Sequence, residues 1–334
     1  MDSTDDLVTP QIETESALRK LISDYPKMLD KRLQPELDRY CLELISHSVI
    51  AVVACNDSST PMFLLAKDDI LVRTPKLLTL PVANKAPAPR SPVNASLYFL
   101  VPGIGHSLRV NGSIAKTGTL WTMSITCSYL HCARAAARAE LWKIRSSSKI
   151  STINPNISPK DFIEASPYLL LKTVNSSGQT ELSPRGDESG FVTLIDQRRI
   201  FIPERPGNKV AISMRNIIAN GHVEVLMLLP HSNFIMHIRG RASLSSNDHL
   251  LAKSVVKGKH PKLGILVTHC EFSITENRVI NDAELWSNNN HVDENRITRF
   301  SKALSIHMNG AGLLGKLSAP VVDAVVKNDM KHLY

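Results

Sequence analysis

The residue types and spacings best suited to chemistry lie between Leu182 and Asn220. Two loops stand there, Ser183-Pro184-Arg185-Gly186-Asp187 and Pro203-Glu204-Arg205-Pro206-Gly207-Asn208-Lys209, separated by two short runs rich in β-branched residues. Gly186, Gly190 and Gly207 open left-handed backbone conformations and leave amide groups uncovered. Arg205, Asn208 and Lys209 precede a stretch whose pattern predicts a helix starting near Val210. Unpaired N–H groups and the dipole at a helix start favour negative charge, so the stretch reads as an anion site, a phosphate above all. Arg205 is the strongest ligand candidate, since a guanidinium binds phosphate through paired charge-assisted bonds of roughly 1.5–3 kcal/mol each. Lys209 would add a point charge and Ser213 a hydroxyl, and Asn208 could cap the helix at the same time. Each also has a plainer reading, as a loop arginine, a helix-face residue or a cap.

Other chemistry has weaker support. Cys127, His131 and Cys132 are ligand types, but three candidates without a distant CxxC partner do not make a structural zinc site. Ser254 to Lys257 is a lone SxxK. No carboxylate pair stands out for general acid–base work.

The elements that must position these residues follow from pattern. Glu13 to His47 reads as two or three helices punctuated by Pro26 and Pro35. Val49 to Cys55 is a buried strand by composition, with further strands at Met62–Leu65, Ile70–Arg73 and Leu77–Leu80. Pro81 to Pro92 is too proline-rich for regular structure. Leu97–Pro102 and Ser107–Ile114 form a hairpin, Leu120–Tyr129 a strand, and the alanine-rich His131–Trp142 a helix. Residues 144–158, rich in Ser and Asn, make an interdomain linker, which gives domains at 13–146 and 159–334.

The second half repeats the first. Phe99–Gly112 and Met227–Gly240 share their spacing from proline to glycine, Ala139–Trp142 and Ala283–Trp286 are both AELW, and Ser48–Ala54 matches Ser166–Lys172. About six short strands and a few helices per half predict a β-dominated α+β chain, with two small antiparallel barrels packed about a pseudo-two-fold axis. No GxGxxG stands between a strand and a helix, which disfavours a Rossmann domain.

Composition narrows the class. The chain has 334 residues, 43% of them hydrophobic, and a net charge of +8. Its basic residues are scattered, and the densest run, Lys253 to Lys262, lacks aromatic interleaving. It reads as a solvated helix end, and nucleic acid is disfavoured. Five irregularly spaced cysteines fit a reducing compartment. The polar start MDSTDDLVTP reads as disordered and resembles no signal peptide, and no apolar run approaches the roughly 18 residues of a membrane span. A cytoplasmic chain acting on a small molecule is expected, without membrane or nucleic-acid partners.

With those residues in view, the chain resembles the pyridoxamine 5′-phosphate oxidase-like, FMN-binding split-barrel flavoproteins. The resemblance lies in Ser183–Asp187, Gly190–Val192, Ile202–Asn208 and Ser213–Ile217, then Phe99–Gly103 and Leu108–Gly112, then His131–Ala135 and Leu141–Trp142. It implies two tandem split barrels and an FMN-dependent oxidoreductase. Members of that branch are usually single-domain dimers with FMN at the subunit interface. Here the first half reads LPVANKAPAPR where the second reads IPERPGNK, and the second half reads Thr275-Glu276-Asn277-Arg278 where the first has HCAR. These complementary losses leave one composite site between the halves. By resemblance Arg185 and Asp187 lie near the isoalloxazine ring. Arg205, Asn208, Lys209 and Ser213 lie near the phosphate, and His131 and Arg134 reach across from the other half. The halves then form an intramolecular pseudo-dimer, with a homodimer still open. Two rival readings stay open as well. One is a haem-binding barrel with His131, His231 or His237 as ligand; the other is a non-catalytic flavin-binding or interaction module.

Overall fold

The apolar runs at Ile50–Cys55 and Tyr168–Val174 are buried along their whole length, as strands covered on both faces must be. In the computed structural model, which describes residues 12–80, 92–118, 120–144, 156–310 and 312–334, each run is an inner strand of a seven-stranded antiparallel sheet. The first half contains α1 (Glu15–Leu21), a 3-10 turn at Lys27–Arg32, α2 (Arg39–His47), β1 (Ile50–Cys55), β2 (Phe63–Ala66), β3 (Leu71–Thr74) and β4 (Leu77–Leu80). It continues with β5 (Val93–Leu100), β6 (Ser107–Thr117), β7 (Leu120–His131) and α3 (Arg134–Arg138). The second half runs α4 (Pro159–Ala165), β8 (Tyr168–Val174), β9 (Thr180–Gly186), β10 (Thr193–Asp196), β11 (Arg199–Pro203), α5 (Ile212–Ala219) and β12 (His222–Leu228). Then come β13 (Phe234–Ser245), α6 (Asp248–Ala252), β14 (Gly264–Glu276) and α7 (Arg278–Asp282), followed by a tail of α8 (Phe300–Asn309) and α9 (Leu313–Lys331).

The strand orders are β2-β1-β5-β6-β7-β4-β3 and, from the matching edge, β9-β8-β12-β13-β14-β11-β10. Adding seven to each number in the first sheet gives the second. Local devices match as well. Gly112 and Gly240 sit at bulges in β6 and β13, where a Cβ would strike the backbone of the neighbouring strand. Trp142 Nε1 donates to the Ile104 carbonyl at 2.9 Å, and Trp286 Nε1 donates to the Ser232 carbonyl at 2.7 Å. Glu140 and Glu284, one in each AELW motif, both have left-handed φ, of 46° and 49°. Among the described residues each half holds seven strands where the pattern predicted about six; runs as short as the four residues of β10 carry little periodicity.

Each half has its own core, and a third apolar cluster joins them. Val52, Leu64 and Leu100 meet Leu170, Leu226 and Leu228 there, and the Trp142 and Trp286 rings pack 5.6 Å apart. Polar groups cross the same boundary. The Tyr98 and Tyr168 hydroxyls lie 3.1 Å apart, and Met62 N donates to Glu224 Oε1 at 2.7 Å. The chain ends cross over. Leu18 of α1 belongs to the core of the second half, and Ala303 and Ile306 of α8 belong to the core of the first.

Two segments differ from their sequence reading. His131–Trp142 is helical only over Arg134–Arg138, because β7 runs on to His131 and Glu140 breaks the helix so that Trp142 can turn into the interface. The run Lys253–Lys262 is no helix end: α6 stops at Ala252, and the run folds as a loop closed by Val256 and Lys259 around Gly258. The proline-rich loop and the linker lie outside the described residues over 81–91 and 145–155, as do the first eleven residues. Among the described residues no helix is long and apolar enough to cross a membrane.

Candidate functional site

Gly186 ends β9 against the carbonyl oxygen of Ala135 in α3, where any Cβ would collide. That contact locks the Ser183–Gly186 segment of one half onto α3 of the other. Beside it opens a cleft with walls from both halves. The second half supplies Ser183–Gly186, Pro203–Asn208 and Val210–Met214, and the first supplies Arg109, Tyr129, His131, Cys132, Arg134 and Arg138. Arg32, from the turn before α2, closes the inner end.

Six of the eight residues expected from sequence line this cleft: His131, Arg134, Arg185, Arg205, Asn208 and Ser213. Arg185 pairs with Glu204 and donates to Ser213 Oγ at 2.7 Å, while its Nε is buried without a partner. Arg205 pairs with Asp187 and donates to the Ser254 carbonyl at 2.8 Å. Asp187 is not on the wall. Fully buried, it accepts from Arg205, from Glu188 N at 2.9 Å and from Tyr334 Oη at 2.5 Å, so it works as a brace for the loop. Lys209 faces a separate cavity, and its carbonyl accepts from Arg19 at 2.8 Å.

The helix after the loop also departs from expectation. It starts at Ile212 rather than Val210, behind Ala211 in a left-handed conformation with φ of 56°, and has no side-chain cap. Asn208 instead closes the turn, accepting from Val210 N at 3.1 Å. The backbone has to swing through Lys209 and Ala211, both at positive φ, to bring Ser213 under Arg185.

Five further residues at this site, Arg32, Arg109, Tyr129, Arg138 and Glu181, carried no assigned role in the sequence. Arg138 donates to the Pro206 carbonyl at 2.6 Å, and Arg134 donates to it at 3.3 Å, so α3 grips the Arg205–Gly207 loop directly. Its place one turn beyond Arg134 on an alanine-rich helix was the available signal. At the inner end Arg109 pairs with Glu181 at 2.5 Å, and Tyr129 Oη donates to the same carboxylate at 3.1 Å. The Arg109 and Arg32 guanidinium carbons lie 4.2 and 5.3 Å from the Tyr129 ring centre. Nothing local announces Arg32 or Glu181, which reach the cleft only through folding.

Electrostatics follow burial. Burial, with Arg109 and Arg32 nearby, holds His131 well below the ordinary histidine range, so its imidazole is neutral. Burial pushes Glu204 up, Arg185 and Arg138 pull it back, and the net shift is upward. Of the histidines considered for haem, His231 packs beside Trp286 at 6.1 Å, His237 Nδ1 lies 3.4 Å from Glu224, and neither lines the cleft. The metal-type atoms that converge among the described residues belong to Asp38, Cys41 and His307. Asp38 there caps α2, and burial pushes the Cys41 thiol up to about 12.

Residues 159–270 match the family model described as pyridoxamine 5′-phosphate oxidase. Comparison with curated proteins finds no match. Among solved structures, HupZ of Group A Streptococcus is 18% identical, covering 35% of this chain and 90% of its own, with a TM-score of 0.30. A putative pyridoxamine 5′-phosphate oxidase from Lactobacillus delbrueckii is 16% identical over 37% of this chain and 97% of its own, with a TM-score of 0.28. HutZ of Vibrio cholerae, described as a heme storage protein, is 16% identical over 35% and 90%, with a TM-score of 0.26. The family match takes in both loops of the second half and the strands from β8 into β14, and over those residues the chain is similar to that family.

Proposed function

We propose that the cleft binds FMN, one per chain, and that the protein is an FMN-dependent oxidoreductase built from a duplicated barrel. The observation that carries this reading is the meeting of the Arg205–Gly207 loop with Arg134 and Arg138 of the other half in a single cleft. The donor set fits an anionic, planar cofactor. Six arginines (Arg32, Arg109, Arg134, Arg138, Arg185 and Arg205) line the cleft, and Nε of Arg185 and of Arg109 have no partner.

Size sets a condition on that fit. The cleft encloses about 140 Å³, below the ~300–1,000 Å³ of small-molecule sites, so binding has to widen it. The Arg185–Glu204 pair joins two lining residues, and exchanging its carboxylate for a ligand oxygen widens the wall with the guanidinium still paired, whereas Asp187, buried behind the wall, stays with Arg205.

In this reading Arg205, Arg134 and Arg138 hold the phosphate. Arg185, hydrogen-bonded to Ser213, lies at the flavin ring and offsets negative charge that gathers there. His131, kept neutral, is a wall and not a proton carrier. Bound flavin supplies the redox chemistry, and the chain supplies position and charge.

The test is the visible spectrum of the purified protein with its heat-released cofactor identified by mass. FMN at one per chain supports the reading. A Soret band transfers it to haem, and a colourless protein that refuses FMN transfers it to an interaction module. Replacing Arg205 alone strands the buried Asp187, so the informative variant is Arg205→Ala with Asp187→Asn. It is expected to weaken FMN by about tenfold to a hundredfold, and unchanged affinity sinks the phosphate assignment.

A further inference from the structure

The Lys253–Lys262 loop, which the cleft does not use, comes back against the outer face of the Pro203–Lys209 loop. Between them lies a second cavity of about 360 Å³, within the ~300–1,000 Å³ range of small-ligand sites. It shares Glu204 to Asn208 with the cleft, so the loop is a partition with a binding space on each side.

The lining of this cavity mixes two chemistries. Leu21, Ile22, Pro261 and Leu263 are apolar, and Arg205, Lys209, Lys259 and Lys262 bring positive charge. The one acidic side chain among its described lining residues is Glu204, which Arg185 already engages. Tyr334 shows what these cations accept. Its ring lies 4.9 Å from Lys257 Nζ and 5.9 Å from the Arg205 guanidinium carbon, and its main-chain oxygen accepts from Lys259 at 2.5 Å. A flat ring and an oxygen acceptor at the edge of a cationic, half-apolar cavity are the parts of a nucleotide.

We propose that this second cavity is a purine-nucleotide site. Phosphate oxygens meet Lys209, Lys259 and Lys262, and the base lies on the Leu21–Ile22 and Pro261–Leu263 walls. The placement beside the cofactor phosphate rests on the FMN reading, whereas the cavity and its charge do not. One chemistry has two sources: the adenylate half of a flavin dinucleotide whose phosphates pass the Arg205 loop, or a separate nicotinamide dinucleotide.

The experiment uses the full chain and the Lys259→Glu/Lys262→Glu variant, both positions being exposed and outside the cores. ADP binding is measured by calorimetry, FMN and FAD binding by flavin fluorescence, and NADH and NADPH binding to FMN-loaded protein by the same calorimetry. The expected result is ADP binding that the charge reversals weaken by at least about tenfold, with FMN affinity changed less than about twofold. FAD held more tightly than FMN, with the advantage lost in the variant, assigns the site to the cofactor's own second half. Equal FMN and FAD with dinucleotide binding assigns it to a separate donor. ADP binding without FMN binding removes the proposed function and leaves this site standing. Absence of ADP, FAD-specific and dinucleotide binding, or indifference of all three to the charge reversals, overturns the inference.

Discussion

The cleft has a counterpart on the other side of the pseudo-two-fold, and the two have diverged in charge and in contents. Where Gly186 ends β9 and Asp187 follows, Ala66 ends β2 and Lys67 and Asp68 follow; where Arg134 and Arg138 stand in α3, Arg278 and Asp282 stand in α7. The counterpart has Asp68, Asp282, Glu284 and Asp293 on its walls against Lys67 and Arg296. The segment His291–Asp293 also lines it, held by Val292 N to the Pro102 carbonyl at 3.0 Å. The same backbone topology therefore presents an arginine-lined wall on one side and a mostly acidic one on the other. A fused pair needs one working site, so the second copy is free to keep its packing and lose its chemistry. The Trp142 and Trp286 hydrogen bonds have stayed alike, while Arg138 and Asp282 have become opposites.

The largest expected effect comes from making one side into the other. Arg138→Asp gives α3 the charge of α7, and FMN affinity should fall by more than about a hundredfold in a fluorescence titration. Retained affinity would remove α3 from the phosphate site. The reverse change, Asp282→Arg, leaves the counterpart without an RPGN loop and with Asp68, Glu284 and Asp293 on its walls, so the FMN count per chain should remain one; a count of two breaks the comparison outright.

A smaller, opposite effect is expected at Glu204. Its carboxyl is raised, with burial as the first cause, so the folded state holds its proton more tightly than the unfolded chain does. Stability therefore falls as pH rises from the ordinary carboxylate range through the folded-state value, and the penalty persists above it. Glu204→Gln should melt higher than the parent at pH 7 and lose that advantage below about pH 4. It should also bind FMN a few-fold more tightly, since Arg185 is released. A lower melting temperature at pH 7 would show instead that the Arg185 pair outweighs desolvation.

The smallest effect tests what the halves still share. Trp142→Phe and Trp286→Phe each remove one N–H to carbonyl bond and should cost about 1 kcal/mol apiece in denaturant titrations. Clearly unequal losses would mean that the two interfaces are no longer equivalent in energy.

Much of this was readable along the chain. The order of strands, the repeat and the loop that α3 grips follow from alternation, turn residues and the matched AELW motifs. The length of α3 was not readable. Alanine propensity argued for twelve helical residues, and tertiary packing of Trp142 and the run-on of β7 left five. The burial of Asp187 was not readable either, because a carboxylate in a glycine turn has no local mark of burial.

The sequence by itself determined the residue types in the Pro203–Lys209 loop, their spacing and the doubled β-rich fold that carries them, since side-chain chemistry and periodicity are local properties. Only the tertiary structure decided which charges are already engaged and which remain available to a ligand. Arg205 and Asp187 are eighteen residues apart, Tyr334 and Asp187 are 147 apart, and Arg32 and the Lys253–Lys262 loop come from opposite ends of the chain. Ion pairing and burial depend on distance in space, and folding sets that distance.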